Sequence, residues 1–179
     1  MSSDADRVAL LTLAREAIAA HVLKRAAPHV PASGAAAMPG GAFVTLHRFG
    51  QLRGCIGQIE ADRTVGQVIA RCAVAAATTD PRFPPVSPSE LPELRIELSL
   101  LGPLEPIAGP ADIEIGRHGL VVEMGSHRGL LLPQVATEWA LDAAGFLAQT
   151  CDKADVPRDA WKHGASLWRF SAEVFGEQG

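Results

Sequence analysis

Apolar residues recur at helical spacing at Val8, Leu11, Ile18 and Val22, with Arg7, Arg15, Glu16 and Lys24 between them, which predicts an amphipathic N-terminal helix. Ser3 and Asp6 can cap its start, and Pro28 closes it. Residues 27–41, with Pro28, Pro31, Gly34, Pro39, Gly40 and Gly41, read as a flexible Pro/Gly-rich loop. The pattern then changes to runs suited to strands, 42–48 and 52–57, joined at Phe49-Gly50-Gln51 as a hairpin.

Thr64 and Gln67 form a capping box, and Val65, Val68, Ile69, Cys72 and Ala76 keep helical period up to Asp80, where Pro81 stops the helix. The segment 80–86 is too rich in proline for regular structure, and Ser87 to Glu90 is a second cap signature. Residues 94–101 alternate strictly, with Leu94, Ile96, Leu98 and Leu100 inward and Arg95, Glu97 and Ser99 outward, the pattern of a half-buried antiparallel strand. A second hairpin turns around 125–128. Helical segments follow from Pro133 and over 142–154, and a last strand over 167–175 places Trp168, Phe170, Ala172 and Val174 inside. No repeat and no strand–helix–strand rhythm appear. The class is α+β, a mainly antiparallel sheet flanked by helices.

Composition narrows the function. The chain has 179 residues, the size of one domain, and is 47% hydrophobic with a net charge of −4. That balance argues against tracking of nucleic-acid phosphates. No apolar run approaches the ~18 residues of a membrane span, and the N-terminus lacks the pattern of a secretory signal. Three cysteines without a Cys-x-x-Cys pair fit reduced thiols in a cytoplasmic protein. His118, Glu123 and His127 match no metal-ligand spacing, so no metal and no cofactor are expected.

The chemistry concentrates at Leu52-Arg-Gly-Cys-Ile-Gly57. In an extended segment Arg53, Cys55 and Gly57 share a face, so a fixed cation beside the thiol would favour the thiolate. The plain alternative is a small apolar side chain filling sheet space. A two-residue turn would set Cys55 opposite Val44 or Leu46, and a three-residue loop would bring His47 to its face. Arg82, in a proline-stiffened loop, suits a fork gripping a carboxylate or phosphate; the plain alternative is that Asp80 pairs with Arg82 or Arg53 and simply fixes that loop. Gln134, an amide at a helix start, is a further ligand-binding candidate. Cys72 and Cys151 occupy periodic apolar positions and read as core.

Six segments carry a resemblance: 42–46, 52–57, Asp80-Pro-Arg-Phe-Pro-Pro85, 96–99, Gly129-Leu-Leu-Leu-Pro-Gln-Val135 and 169–175. Together they resemble the AMME chromosomal-region protein domain family, whose bacterial branch is called AmmeMemoRadiSam system protein A. The likeness covers about residues 5–177 and departs from the family pattern at Cys72, Thr78, Leu141 and Trp168. It implies a single domain over 1–179 with a smaller lobe, and a site on Arg53, Gly54, Cys55, Asp80, Arg82 and Gln134. It also implies company, a Memo-like protein resembling extradiol dioxygenases and a radical-SAM protein, but no settled reaction. Two expectations follow. One is a pocket built by the 52–57 and 80–85 segments, in which Arg53 and Arg82 bind an anionic small molecule and Cys55 serves as nucleophile or redox thiol; the other is a non-catalytic accessory module.

Overall fold

The structure is a computed structural model and describes residues 1–178. Two compact units compose it, one of Met1–Leu101 together with the chain from Glu173 onward, the other of Gly102–Ala172. Among the described residues the helices are interspersed among strands that pair antiparallel, so the chain is α+β.

In the first unit, helix α1 (Asp4–Val22) starts at the expected capping box, in which Ser3 and Asp6 satisfy each other's backbone N–H groups. Its buried face is Leu10, Leu13, Ala14, Ala17 and Ile18, whereas Val8 is 64% exposed. The helix is rich in alanine, and its small side chains allow close packing, so the contact face is rotated from the one marked by the larger residues. It ends at Val22, well before Pro28, and Lys24 follows in the left-handed region at φ 54. Strands β1 (Ala42–Arg48) and β2 (Gln51–Gln58) form the hairpin, and helix α2 (Val65–Thr78) begins at the Thr64/Gln67 box. Ser87 and Glu90 start only a 3-10 turn, which leads into β3 (Leu94–Leu101).

The sheet order is β2–β1–β3, which makes β2 an edge. Val44, Leu46, Ile96 and Leu98 pack with Leu10, Ile18, Val68, Ile69 and Ala73 into one core. Arg7 pairs with Glu173, and Arg15 with Glu177, so the segment 173–177 is bound to α1.

In the second unit, β4 (Glu105–Pro106), β5 (His118–Met124) and β6 (His127–Leu131) precede the short helix α3 (Pro133–Glu138) and α4 (Ala143–Lys153). Strand β7 (Ser166–Gly176) belongs to this unit up to Ala172, and that part pairs with β4 and β5. Leu120, Val122, Phe146, Leu147 and Cys151 form this unit's core. Val174, expected inside, is exposed; it lies in the part of β7 that belongs to the first unit. No helix among the described residues is long and apolar enough to cross a membrane.

Candidate functional site around Cys55

The hairpin turn decides which way Cys55 faces. Phe49 and Gly50 are its two turn residues, with φ 53 and 76, as a type I′ connection requires. A two-residue turn alone would set Cys55 opposite Val44. The register shifts instead: His47 opposes Leu52 while Leu46 opposes Gly54, leaving Arg53 as a bulge. Past the bulge, Cys55 opposes Thr45, on the face away from α1 and α2.

Gly54 takes the core side. A Cβ there would stand 2.2 Å from the carbonyl oxygen of Ala76 in α2, so only glycine allows this approach. At Gly57 a Cβ would stand 2.3 Å from the Phe43 ring, which lies over that position.

Asp80 ties the edge of the sheet to the loop after α2. It is 4% exposed, and its Oδ2 accepts hydrogen bonds from the Cys55 N–H at 3.0 Å and from Arg82 Nη2 at 2.8 Å. Its Oδ1 accepts from the Arg82 N–H at 3.1 Å and from Arg82 Nε at 3.0 Å. These donors, the guanidinium first, hold the carboxyl well below the usual carboxylate range against the opposing effect of burial. Because the Cys55 N–H points to Asp80 and not to β1, the Thr45–Cys55 pair is of the non-hydrogen-bonded kind, in which side chains come closest. Thr45 Oγ1 and Cys55 Sγ are 3.3 Å apart.

Arg53 points elsewhere. Its Nε and Nη2 donate to Glu90 at 2.9 and 3.3 Å, and Glu90 also accepts from Arg48 Nη1 and from the Ser87 N–H. These contacts, Arg53's foremost, lower the Glu90 carboxyl to about 2. The charge close to the thiol is therefore Arg82 and not Arg53. Burial raises the Cys55 thiol above its ordinary value, the Thr45 hydrogen bond and Arg82 pull it down, and Asp80 and Glu97 oppose them. A thiolate favoured by Arg53 was the expectation; the surroundings instead keep a half-buried, neutral thiol. Alkylation of Cys55 by iodoacetamide should accordingly show a pH midpoint above 9.0, the ordinary thiol value here. A midpoint below about 7.5 would contradict this balance.

Of the residues marked in the sequence, Arg53, Gly54, Cys55, Asp80 and Arg82 belong to one cluster in the first unit. Gln134 lies in the second unit, half-buried at the second position of α3. Four residues of the cluster escaped the sequence reading: Thr45, Glu90, Phe83 and Glu97. Glu97 opposes Thr45 across β1–β3, so Glu97, Thr45 and Cys55 form one transverse row on a single face. His47 shares that face but sits opposite Leu52 and makes no hydrogen bond to Cys55 among the described residues. No three His, Cys, Asp or Glu side chains among the described residues are placed to hold a metal ion.

The AMMECR1 family model matches residues 11–175. A protein of Methanothermobacter thermautotrophicus is 49% identical over 146 residues, covering 78% of this chain and 76% of that one. One from Methanosarcina mazei is 40% identical and covers 99% of this chain and 94% of its own. The crystal structure of the uncharacterized protein PH0010 from Pyrococcus horikoshii superposes with a TM-score of 0.87 at 39% identity, over 94% of this chain and 90% of that one.

Proposed function

The chain belongs to the AMMECR1 family, and on that premise we propose that its site binds a small molecule by one anionic group, held on the outward N–H groups of Arg82 beside the Cys55 thiol. One observation carries this reading. Asp80 clamps the Nε/Nη2 edge of Arg82, yet the Arg82 side chain is 54% exposed, and the same Asp80 Oδ2 holds the Cys55 backbone. An arginine oriented in this way loses little freedom on binding, and its fork suits a carboxylate or phosphate.

Arg53, Gly54 and Asp80 then serve as frame. Gly54 lets β2 approach α2, Asp80 joins β2 to the loop, and Arg53 anchors the bulge on Glu90. Cys55 is the group set against the bound molecule. It becomes a nucleophile only after losing its proton, and Glu97 is the carboxylate in its row. Gln134 takes no part in this proposal.

A second reading is a non-catalytic accessory module acting with a Memo-like protein and a radical-SAM protein. It is favoured by the internal pairing of Arg53 with Glu90 and of Asp80 with Arg82, and by the raised thiol. In that case Arg82 meets a carboxylate of the partner.

Cys55 itself reports on the two. Iodoacetate carries the anionic group that Arg82 would hold, and iodoacetamide is its neutral counterpart. The ratio of their rates at Cys55 should exceed that of free cysteine and fall to it in Arg82→Ala. A partner that co-purifies, is lost in Arg82→Ala and is kept in Cys55→Ser, with no such rate preference, would support the accessory module instead.

A further inference from the structure

Arg53 and Arg82 repeat one arrangement. In each, a single carboxylate occupies the Nε and Nη2 donors, Glu90 for Arg53 and Asp80 for Arg82. A guanidinium has a second fork, formed by Nη1 and the other N–H of Nη2. At Arg82 this second fork meets no acceptor among the described residues. At Arg53 the case is stronger: the residue is only 9% exposed, and its Nη1 is a buried donor without a hydrogen-bond partner.

A buried charged donor left unpaired is costly, so its persistence calls for a cause. Both guanidinium groups lie over the ring of Phe83, with Cζ 5.9 Å from its centroid for Arg53 and 5.5 Å for Arg82. The two cations are therefore no farther apart than the sum of those distances. Phe83 belongs to the loop fixed by Asp80, which accepts its N–H through the backbone carbonyl.

We propose that Arg53 and Arg82 together recognise a small dicarboxylate, one carboxylate on each second fork, with Phe83 turning aside to admit it to Arg53. The proposal rests on the assignment of Arg82 as the ligand-facing cation and adds the second point of attachment and the ligand class. Planar two-oxygen groups match these forks better than a spherical anion does. Each guanidinium already has its own carboxylate, so the long-range attraction for a lone anion is small. Two linked carboxylates gain instead from the effective concentration that the first contact gives the second. The unpartnered Arg53 donor is then the part of the site that Phe83 keeps covered in the absence of ligand.

The test is NMR of the arginine side-chain N–H groups and the Phe83 ring in the full chain, titrated with acetate, malonate, succinate and glutarate. One dicarboxylate should bind at least ~10-fold more tightly than acetate, a gain that two-point attachment readily provides. It should move the Arg53, Arg82 and Phe83 signals with a single midpoint. Phe83→Ala should tighten that dicarboxylate several-fold by removing the cover. Arg53→Lys keeps a cation for Glu90 but has no fork, and should reduce the dicarboxylate to the affinity of acetate. If acetate and every dicarboxylate move Arg82 alone with equal midpoints, and Phe83→Ala changes nothing, the role of Arg53 is overturned while that of Arg82 stands. If no probe gives a saturable shift at Arg82, both assignments fall. Phe83→Ala spares the Arg53–Glu90 pair and so decides the matter even where Arg53→Lys fails to fold.

Discussion

Gly54→Ala is expected to cost about 3 kcal/mol of stability, the upper end for overpacking a close-packed site. The added methyl would stand 2.2 Å from the Ala76 carbonyl oxygen, a backbone atom within α2 that no rotamer change can move. Either β2 or the end of α2 must retreat, and the Cys55 N–H, one residue on, then leaves the Asp80 carboxylate. Gly57→Ala offers the comparison. Its methyl would meet the Phe43 ring, a side chain able to turn, so the cost should be nearer 1 kcal/mol. Urea unfolding of the two variants checks the order. Equal losses would mean that β2 and α2 adjust freely, and that Gly54 is not the hinge of this packing.

Glu90→Gln is expected to lose about 3–5 kcal/mol at pH 7, the usual cost of removing one partner from a buried ion pair. Glu90 and Arg53 are each 11% exposed at the side chain, and the Arg53 guanidinium would be left without its counter-charge. The pH dependence gives the second half of the test. The Glu90 carboxyl is lowered from 4.5 to about 2, so the folded protein binds its proton less readily than the unfolded chain. A depressed carboxyl contributes its stability fully above the unfolded value of 4.5 and loses it as pH falls through about 2. Asp80, also held low, loses its contribution in the same direction in wild type and variant alike, so it leaves the gap between them to Glu90. The gap between wild type and Glu90→Gln should therefore narrow steadily from pH 4.5 to about pH 2. A gap independent of pH would mean that Glu90 acts by shape rather than by charge.

Much of the frame was legible in the chain because it rests on local rules. The Ser3/Asp6 and Thr64/Gln67 boxes start their helices as capping chemistry requires, and the alternation over Leu94–Leu101 becomes β3 with Leu94, Ile96 and Leu98 buried, although Ser99, expected outward, is buried and Leu100, expected inward, is only half-buried. The rotated face of α1 was not, since alanines pack as readily as the valines that marked the other side. At the site, one inserted residue made the difference. Alternation assigns Arg53 and Cys55 to one face, but the bulge at Arg53 breaks the period and redirects its guanidinium to Glu90. Nothing local signals a bulge in Leu52-Arg-Gly-Cys beyond the glycine itself. Glu90 was concealed by its capping role, which it keeps while also binding Arg53 and Arg48. Glu97 read as a solvent-facing residue because the row it forms with Thr45 and Cys55 exists only through pairing of distant strands.

The proposed site depends on Arg82 as a cation held ready beside a neutral thiol. The most direct measurement is the second-order rate of Cys55 with iodoacetate and with iodoacetamide, each divided by the rate for free cysteine under the same conditions, in wild type and Arg82→Ala. Mass spectrometry separates Cys55 from the buried Cys72 and Cys151. An exposed charge contact of about 1 kcal/mol corresponds to a preference of about fivefold for iodoacetate, present in wild type and absent in Arg82→Ala. Equal relative rates for the two reagents in wild type, unchanged by Arg82→Ala, would contradict it.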